Sequence, residues 1–238
     1  MNVVFEPIKT QTVRIQVVDQ IARMIKDGKL KPGDQLPSER VIAEQMGISR
    51  PTVREAFAAL EVVGLVETRT GQGTFIKPGD VESLKYRAEN LFIEERSPFE
   101  TLETRKILES QAAELAAERA SLADLAGLKE ALDILEETAT HQSTWNEEAD
   151  KAFHMAIARA SGNSVLDDLF KILLDMSQHR VWSKMKEIGR LTSGSLESSV
   201  AQHRMIYEAI RDKDPQEARR LVWEHFVGVE RDIFGLDR

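Results

Sequence analysis

The stretch that decides the fold runs from residue 36 to residue 60 and reads LPSERVIAEQMGISRPTVREAFAAL. Ser38 is a good N-cap for a short helix that ends at Gly47. Ser49 can cap a second helix, which tolerates Pro51 in its first turn because the missing N–H is not needed there. Two short helices joined by a tight turn, the second opening with basic and small polar residues, predict a helix-turn-helix.

The flanking segments complete this unit. A helix that stops at Gly28 is predicted from apolar residues at helical spacing, namely Val13, Val17, Ile21 and Ile25. Residues 65–76 predict two short strands around the glycine-rich tip at 70–73, which together form a wing. Residues 77–81 contain Pro and Gly and predict a linker.

Beyond the linker the whole chain has helical periodicity. The predicted helices are 82–95, 98–119, 122–140, 145–160, 165–187, 195–212 and 215–234. The predicted fold is therefore mostly α, with an N-terminal winged helix-turn-helix that carries a small β-hairpin wing, and a C-terminal all-α antiparallel bundle of about seven helices. The corresponding predicted domains are 1–76 for the winged helix-turn-helix, 77–81 as linker, and 82–238 for the helical bundle.

Charge and composition restrict the function. The net charge is −8, but residues 1–80 hold 11 Lys and Arg against 10 Asp and Glu, while the remainder holds 21 against 30. Any DNA contact is therefore expected in the N-terminal third, through locally placed cations. The absence of cysteine leaves only His, Asp or Glu as metal ligands, and the sequence has neither a signal-peptide pattern nor an apolar run that could span a membrane. We expect a cytoplasmic protein without a membrane partner.

The N-terminal end of the second helix would enter the major groove of double-stranded DNA. Arg50 and Arg54, four residues apart, can reach guanine edges or phosphates from one face of that helix. Ser49 and Thr52 can donate to phosphate, and Arg40, near the start of the preceding helix, is placed to contact the DNA backbone. Helix-turn-helix units also serve as protein–protein modules, so the pattern alone leaves that alternative open.

The wing would approach the minor groove through Gly71, whose missing side chain permits close contact of the main chain. The stretch LPSERVIAEQMGISRPTVREAFAALEVVGLVETRTGQGTFI resembles the winged helix-turn-helix of GntR-family bacterial transcription regulators, over residues 13–76. Pro51 departs from the polar residue that other members carry at this position. The resemblance implies operator contacts at Arg40, Ser49, Arg50, Thr52, Arg54 and Gly71.

Histidines dominate the second half of the chain. Those on apolar helix faces are His154, His179, His203 and His225. One such histidine is more often a satisfied core residue than a metal ligand. Several buried imidazoles need partners, however, and Asp150 lies one helical turn before His154, so both can chelate from one helix. The pattern therefore favours a metal site.

Three segments, DKAFHMAIARASGN, QHRMIYEAI and DPQEARRLVWEH, resemble the FCD effector domain of the FadR subfamily over residues 82–234. The resemblance implies a divalent metal with open coordination positions, and the ion can be Zn, Ni or Mn. The ligands implied by this resemblance are Asp150, His154, His203 and His225.

Arg105 lies between Leu102 and Leu108 on an inward face, and a buried cation needs an anionic partner. That partner is either a bundle carboxylate, Asp150 or a Glu, or the carboxylate of a ligand. The resemblance favours the ligand, because a matching Arg in this family often binds the effector. His179 is assigned to the effector pocket, with a place in the core as the alternative.

These residues predict a homodimeric transcription repressor that is controlled by a small carboxylate effector. A metal-dependent hydrolase or lyase is a second hypothesis, but the sequence has no HExxH run and no glycine-rich phosphate loop, so we predict no enzyme. A direct sensor of the metal is a third. Metal titration with and without candidate acids separates the first hypothesis from the third.

Overall fold

The computed structural model describes residues 12–69, 71–142, 146–192 and 196–234. The chain folds as two compact units, Met1–Glu95 and Arg96–Arg238. Across the four described ranges, no helix combines the length and the apolar character that crossing a membrane requires.

α3 is the central helix of the first unit. Within the described residues this unit contains α1 (Val13–Lys26), α2 (Glu39–Met46), α3 (Arg50–Val63), β1 (Val66–Arg69), β2 (Gly73–Ile76) and α4 (Val81–Glu94). α3 packs against α1, α2, α4 and β1. Its residues Val53, Ala56 and Leu60 are completely buried, so α3 fixes the positions of its neighbours.

The helix-turn-helix forms as predicted, with helix ends that are set by local capping residues. The Ser38 hydroxyl accepts a hydrogen bond from the Val41 amide at 3.4 Å, and Gly47 ends α2 in the left-handed conformation with φ of 65°. The two strands pair antiparallel, with Val66 opposite Ile76. The winged helix-turn-helix part of the predicted fold is confirmed.

α4 packs within the first unit, against α1 and α3. Lys85 on this helix lies 2.6 Å from the Asp19 carboxylate of α1, and the Arg14 guanidinium stacks 4.9 Å from the Phe92 ring centroid. The helix predicted at 82–95 is therefore present, and its contacts are with α1 and α3. The domain limits at 76, 77–81 and 82 remain predictions about chain organisation.

The second unit is entirely helical over its described residues. Its helices are α5 (Pro98–Arg119), α6 (Leu122–Gln142), α7 (Glu147–Ala160), α8 (Ser164–Met176), α9 (Arg180–Thr192), α10 (Leu196–Arg211) and α11 (Pro215–Phe234). The most extensive packing joins α5 to α11, and α7 and α10 both pack against α5 and α6. The prediction of a mostly helical protein with a C-terminal helical unit is confirmed.

The predicted helix 165–187 is wrong in one respect, because it is two helices. α8 ends at Met176, and the Ser177 hydroxyl then donates to the Leu173 carbonyl at 3.0 Å. His179 precedes α9, and its carbonyl accepts a hydrogen bond from the Ser183 amide at 2.9 Å. Apolar periodicity continues through the break, so the pattern of side chains did not reveal it.

α5 is buried on most of its surface and carries charges into the interior. Small residues on this helix, Ala112, Ala113, Ala116 and Ala117, are completely buried and permit close approach of neighbouring helices. Arg105, Lys106 and Glu109 on the same helix are also buried. Lys106 pairs with Glu230 of α11 at 2.5 Å, which compensates the cost of burying both charges.

Candidate functional site

The start of α3 presents two hydroxyl groups together. The Ser49 Oγ accepts a hydrogen bond from the Thr52 amide at 3.3 Å and lies 2.7 Å from the Thr52 Oγ1. Ser49 is exposed, and the main-chain amides of the first turn have no partners within the helix. A helix N-terminus with two hydroxyls can donate to phosphate, as the sequence predicts for these two residues.

The three predicted arginines have different surroundings. Arg40 is exposed and pairs with Glu44 at 2.7 Å, an ion pair that solvent weakens and that phosphate can displace. Arg54 is part-buried, and its Nε donates to both carboxylate oxygens of Glu39 at 2.8 Å. Arg50 begins α3, and its buried Nε has no hydrogen-bond partner among the described residues. Arg54 is therefore held by α2, a contact that the sequence pattern did not predict.

The wing tip is shaped by glycine. Gly71 is exposed and has φ of 71°, so its main chain is accessible from solvent. At Gly73 a Cβ atom would lie 2.4 Å from the Gln35 side-chain nitrogen, and the Gln35 amide itself donates to the Gln72 carbonyl at 2.7 Å. Gln35 thus anchors the wing to the segment before α2, a contact that sequence periodicity does not reveal.

Three histidines from three helices converge inside the second unit. The three residues are His154 on α7, His203 on α10 and His225 on α11. Each places one ring nitrogen within 4.8 Å of a ring nitrogen of both others. Asp150 joins them, since its Oδ1 lies 3.2 Å from the His203 Nε2 and 3.6 Å from the His154 Nε2. The structure therefore brings together the four residues that the sequence predicted as metal ligands.

Each of these histidines also contacts an oxygen through its Nδ1. The His154 Nδ1 lies 2.5 Å from Glu109 Oε2, the His203 Nδ1 lies 2.8 Å from the Ser199 carbonyl, and the His225 Nδ1 lies 3.0 Å from the Gln202 side-chain oxygen. Oxygen partners at Nδ1 favour the tautomer that leaves the Nε2 lone pair available. This is the arrangement that a divalent cation requires of imidazole ligands.

The electrostatics of the cluster follow from burial and mutual contact. Burial opposes the charged form of Asp150, but hydrogen bonds with His154 and His203 hold the pKa of that carboxyl well below its ordinary value. Burial also opposes the charged form of His154 and by itself would lower its pKa. The neighbouring Glu109 and Asp150 outweigh burial and raise that pKa to about 9. Burial and the neighbouring His203 and His154 keep the pKa of His225 well below its usual range. The metal-free cluster therefore keeps a proton that a cation must displace.

Arg105 lies beside this cluster and is only partly satisfied. Its Nε donates to Glu109 Oε1 at 2.6 Å, and its Nη1 donates to the Ser177 hydroxyl at 3.4 Å. Its guanidinium lies 5.1 Å from the Phe226 ring centroid. Its buried Nη2 has no hydrogen-bond partner in the described part of the chain. Of the two expected anionic partners, the bundle carboxylate is present as Glu109, and the Nη2 amino group remains available to a ligand.

His179 is not one of the residues whose ligand atoms converge. It is half-buried immediately before α9, and its buried Nδ1 has no hydrogen-bond partner among the described residues. Two contributors, Glu109 and Ser177, were not predicted from the sequence. Glu109 lies four residues after Arg105 on one helix, so the spacing of the pair was visible in the sequence.

Comparison with known proteins now gives the class. Residues 14–76 match the family described as bacterial regulatory proteins, gntR family, and residues 100–228 match the FCD domain. The chain is 32% identical to the Uxu operon transcriptional regulator of Escherichia coli (strain K12), over 95% of this chain and 90% of that protein. It is 34% identical to the HTH-type transcriptional regulator LutR of Bacillus subtilis (strain 168), over 89% of this chain and 97% of that protein.

A solved structure, Streptococcus agalactiae GntR, is also similar, with 26% identity, a TM-score of 0.48, and coverage of 92% of this chain and 99% of that one. The protein is a DNA-binding transcription regulator and not an enzyme. It belongs to the GntR family and carries an FCD domain. The resemblance stated from its motifs is confirmed.

Proposed function

We propose that this regulator binds operator DNA as a cytoplasmic homodimer and represses transcription until a small organic acid binds its helical unit. In this proposal the DNA contacts are Arg40, Ser49, Arg50, Thr52, Arg54 and Gly71. The acid binds between Arg105 and a divalent metal, with His179 lining the pocket. The observation that carries the proposal is the convergence of the half-buried Asp150 and three buried histidines beside a guanidinium whose Nη2 has no partner among the described residues.

The donor set fits a divalent cation. Three imidazole nitrogens and one carboxylate oxygen suit Zn, Ni or Mn, and Asp150 supplies the negative charge that partly compensates the ion. A bound cation would offer a ligand carboxylate a second positive partner besides Arg105. Oxygen contacts at the three Nδ1 atoms orient the rings for this purpose.

An acid that bridges α5 and the helices that hold the metal can shift the DNA-binding state. Arg105 lies on α5, while the proposed ligands lie on α7, α10 and α11. A ligand that touches both groups favours one arrangement of the bundle, and a coupling of about 1–3 kcal/mol is typical of such switches. Because the half-sites of a dimeric reader lie about one helical turn of DNA apart, a modest rearrangement between subunits is sufficient to release the operator.

The homodimer is supported by an apolar stripe on α8. Val165, Leu169 and Ile172 are spaced by four and three residues on that helix and are exposed in the single chain. Exposed apolar residues on one face of a helix are typical of protein–protein interfaces. A second copy of the chain is the partner that a reader of two half-sites requires.

The deciding experiment follows operator affinity in four states of the protein. A duplex selected from a random library serves as the probe, and its affinity is measured with and without Zn²⁺ or Ni²⁺, and with and without a panel of small mono- and dicarboxylates. We expect at least one acid to weaken DNA binding in the metal-loaded protein only. A strong effect of metal alone, with no further effect of any acid, would identify a metal sensor instead.

A further inference from the structure

Glu109 contacts both ends of the proposed effector site. This residue is 1% exposed and lies on α5, one helical turn after Arg105. Its Oε1 accepts from the Arg105 Nε at 2.6 Å, and its Oε2 lies 2.5 Å from the His154 Nδ1. One buried carboxylate is thus shared between the guanidinium and a candidate metal ligand.

Both contacts restrict geometry as well as charge. Because Nε and Nη1 of Arg105 are held by Glu109 and Ser177, the guanidinium plane is fixed and so is the direction of the unsatisfied Nη2. The contact with Glu109 likewise orients the His154 ring, whose Nε2 then lies 3.6 Å from Asp150. Each oxygen of Glu109 faces a nitrogen of a different partner. Glu109 therefore serves both partners as a carboxylate.

We propose that Glu109 is a positioning residue that couples Arg105 to His154, so that the acid and the metal strengthen each other's binding. A ligand carboxylate at Arg105 competes with Glu109 for the guanidinium charge. The negative charge of Glu109 then acts more strongly on the His154 ring, 2.5 Å away, which makes the opposite nitrogen a better donor to a cation. By thermodynamic reciprocity the bound metal must favour the acid to the same extent.

The chain contains a matched control for a merely structural ion pair. Glu230 is also buried and pairs with the Lys106 ammonium where α5 packs against α11. None of its described contacts reaches the three histidines or Asp150. Glu109→Gln and Glu230→Gln therefore remove one buried carboxylate each by the same isosteric change, and only Glu109→Gln disturbs the link to His154.

The test uses metal alone, measured on the full chain at about pH 8 by competition with a chromophoric chelator. We expect Glu109→Gln to weaken Ni²⁺ binding about 10- to 100-fold, the usual effect of losing a carboxylate behind a metal-bound histidine. Glu230→Gln should bind Ni²⁺ as the wild type does. In the Co²⁺-loaded proteins, the visible ligand-field bands should shift in Glu109→Gln and not in Glu230→Gln, a signature that general destabilisation does not produce.

A second variant protects the test against misfolding of Glu109→Gln. Arg105→Gln leaves Glu109 bound to His154 alone, and we expect Ni²⁺ binding to tighten several-fold although Arg105 is not a proposed metal ligand. Unchanged or weaker binding in Arg105→Gln would overturn the coupling, as would equal affinities of Glu109→Gln and Glu230→Gln.

This inference rests on the proposed metal site, and the two failures are distinguishable. If the wild type binds no divalent metal, or if His203→Ala binds it equally well, the metal site itself is refuted. If the wild type binds metal and His203→Ala does not, while Glu109→Gln binds with wild-type affinity, only the role of Glu109 is refuted.

Discussion

His203→Ala tests the centre of the proposed site. His203 is completely buried, lies 3.2 Å from Asp150, and its ring centroid is 4.7 Å from that of His225. The substitution removes one proposed ligand and leaves a cavity next to the Phe153 ring, whose centroid is 4.9 Å away. We expect metal stoichiometry and thermal stability to fall together, because the ligands of a buried metal site contribute to folding.

The expected loss in the free energy of unfolding of His203→Ala has two parts. Truncation of a buried side chain of this size costs about 2–5 kcal/mol, and the loss of the hydrogen-bond partner of Asp150 costs about 1–3 kcal/mol more. For a unit of this size, each kcal/mol lowers the melting temperature by about 2–4 °C. The metal-free variant should therefore melt about 6–30 °C below the metal-free wild type.

Adding metal should further separate the melting temperatures of the wild type and His203→Ala. A ligand present at 100 times its dissociation constant stabilises the folded state by about 2.7 kcal/mol, so the wild type should show an upward shift on metal addition. His203→Ala should not show this shift. His203→Leu, which nearly keeps the volume of the side chain, should recover part of the stability and none of the metal binding.

The assay combines differential scanning calorimetry of metal-free and Ni²⁺-loaded protein with metal analysis after gel filtration. The reasoning would be refuted by wild-type metal content in His203→Ala together with a retained upward shift. A variant that loses stability but keeps metal would show that His203 is a core residue and that other groups hold the ion.

Three further predictions concern pH, DNA and assembly. Because the pKa of His154 is raised to about 9, its ring must lose a proton before a metal binds. The affinity for Ni²⁺ should therefore rise about tenfold per pH unit towards pH 9 and then level off. An affinity that does not change with pH in chelator competition would contradict this. Arg54→Ala should weaken operator binding by about 1–3 kcal/mol with unchanged metal content, whereas unchanged DNA affinity in gel-shift titrations would remove it from the proposed contacts. Replacing Val165 and Ile172 by Glu should convert the proposed dimer into a monomer of 26.9 kDa in light scattering, and a dimer that persists would place the interface elsewhere.

Local signals made most of the fold predictable. The caps at Ser38 and Ser49 and the stop at Gly47 act over four residues or fewer, so the helix-turn-helix could be predicted without any tertiary contact. The structure confirms the fold class, and the matches to known transcription regulators confirm the family. The break at Ser177 was missed, because a hydroxyl that contacts both Leu173 and Arg105 leaves no mark on apolar periodicity.

The candidate site, too, could be predicted only in part from the sequence. Asp150 and His154 are four residues apart on one helix, so the sequence by itself determined that they face the same side. It also determined that His203 and His225 lie on apolar faces. Only the packing of α7, α10 and α11 decided that their ring nitrogens converge, because the distance between helices depends on every side chain between them.

The same distinction between local and tertiary information applies to the helix-turn-helix and to the buried charges of α5. The sequence by itself determined two capped helices with cations at the start of the second, because caps and charges are local properties. Only the tertiary structure decided that Arg54 is held by Glu39 and that Glu109 stands between Arg105 and His154. A buried charge takes whichever partner the packed interior brings within hydrogen-bond distance, and no sequence interval specifies that choice.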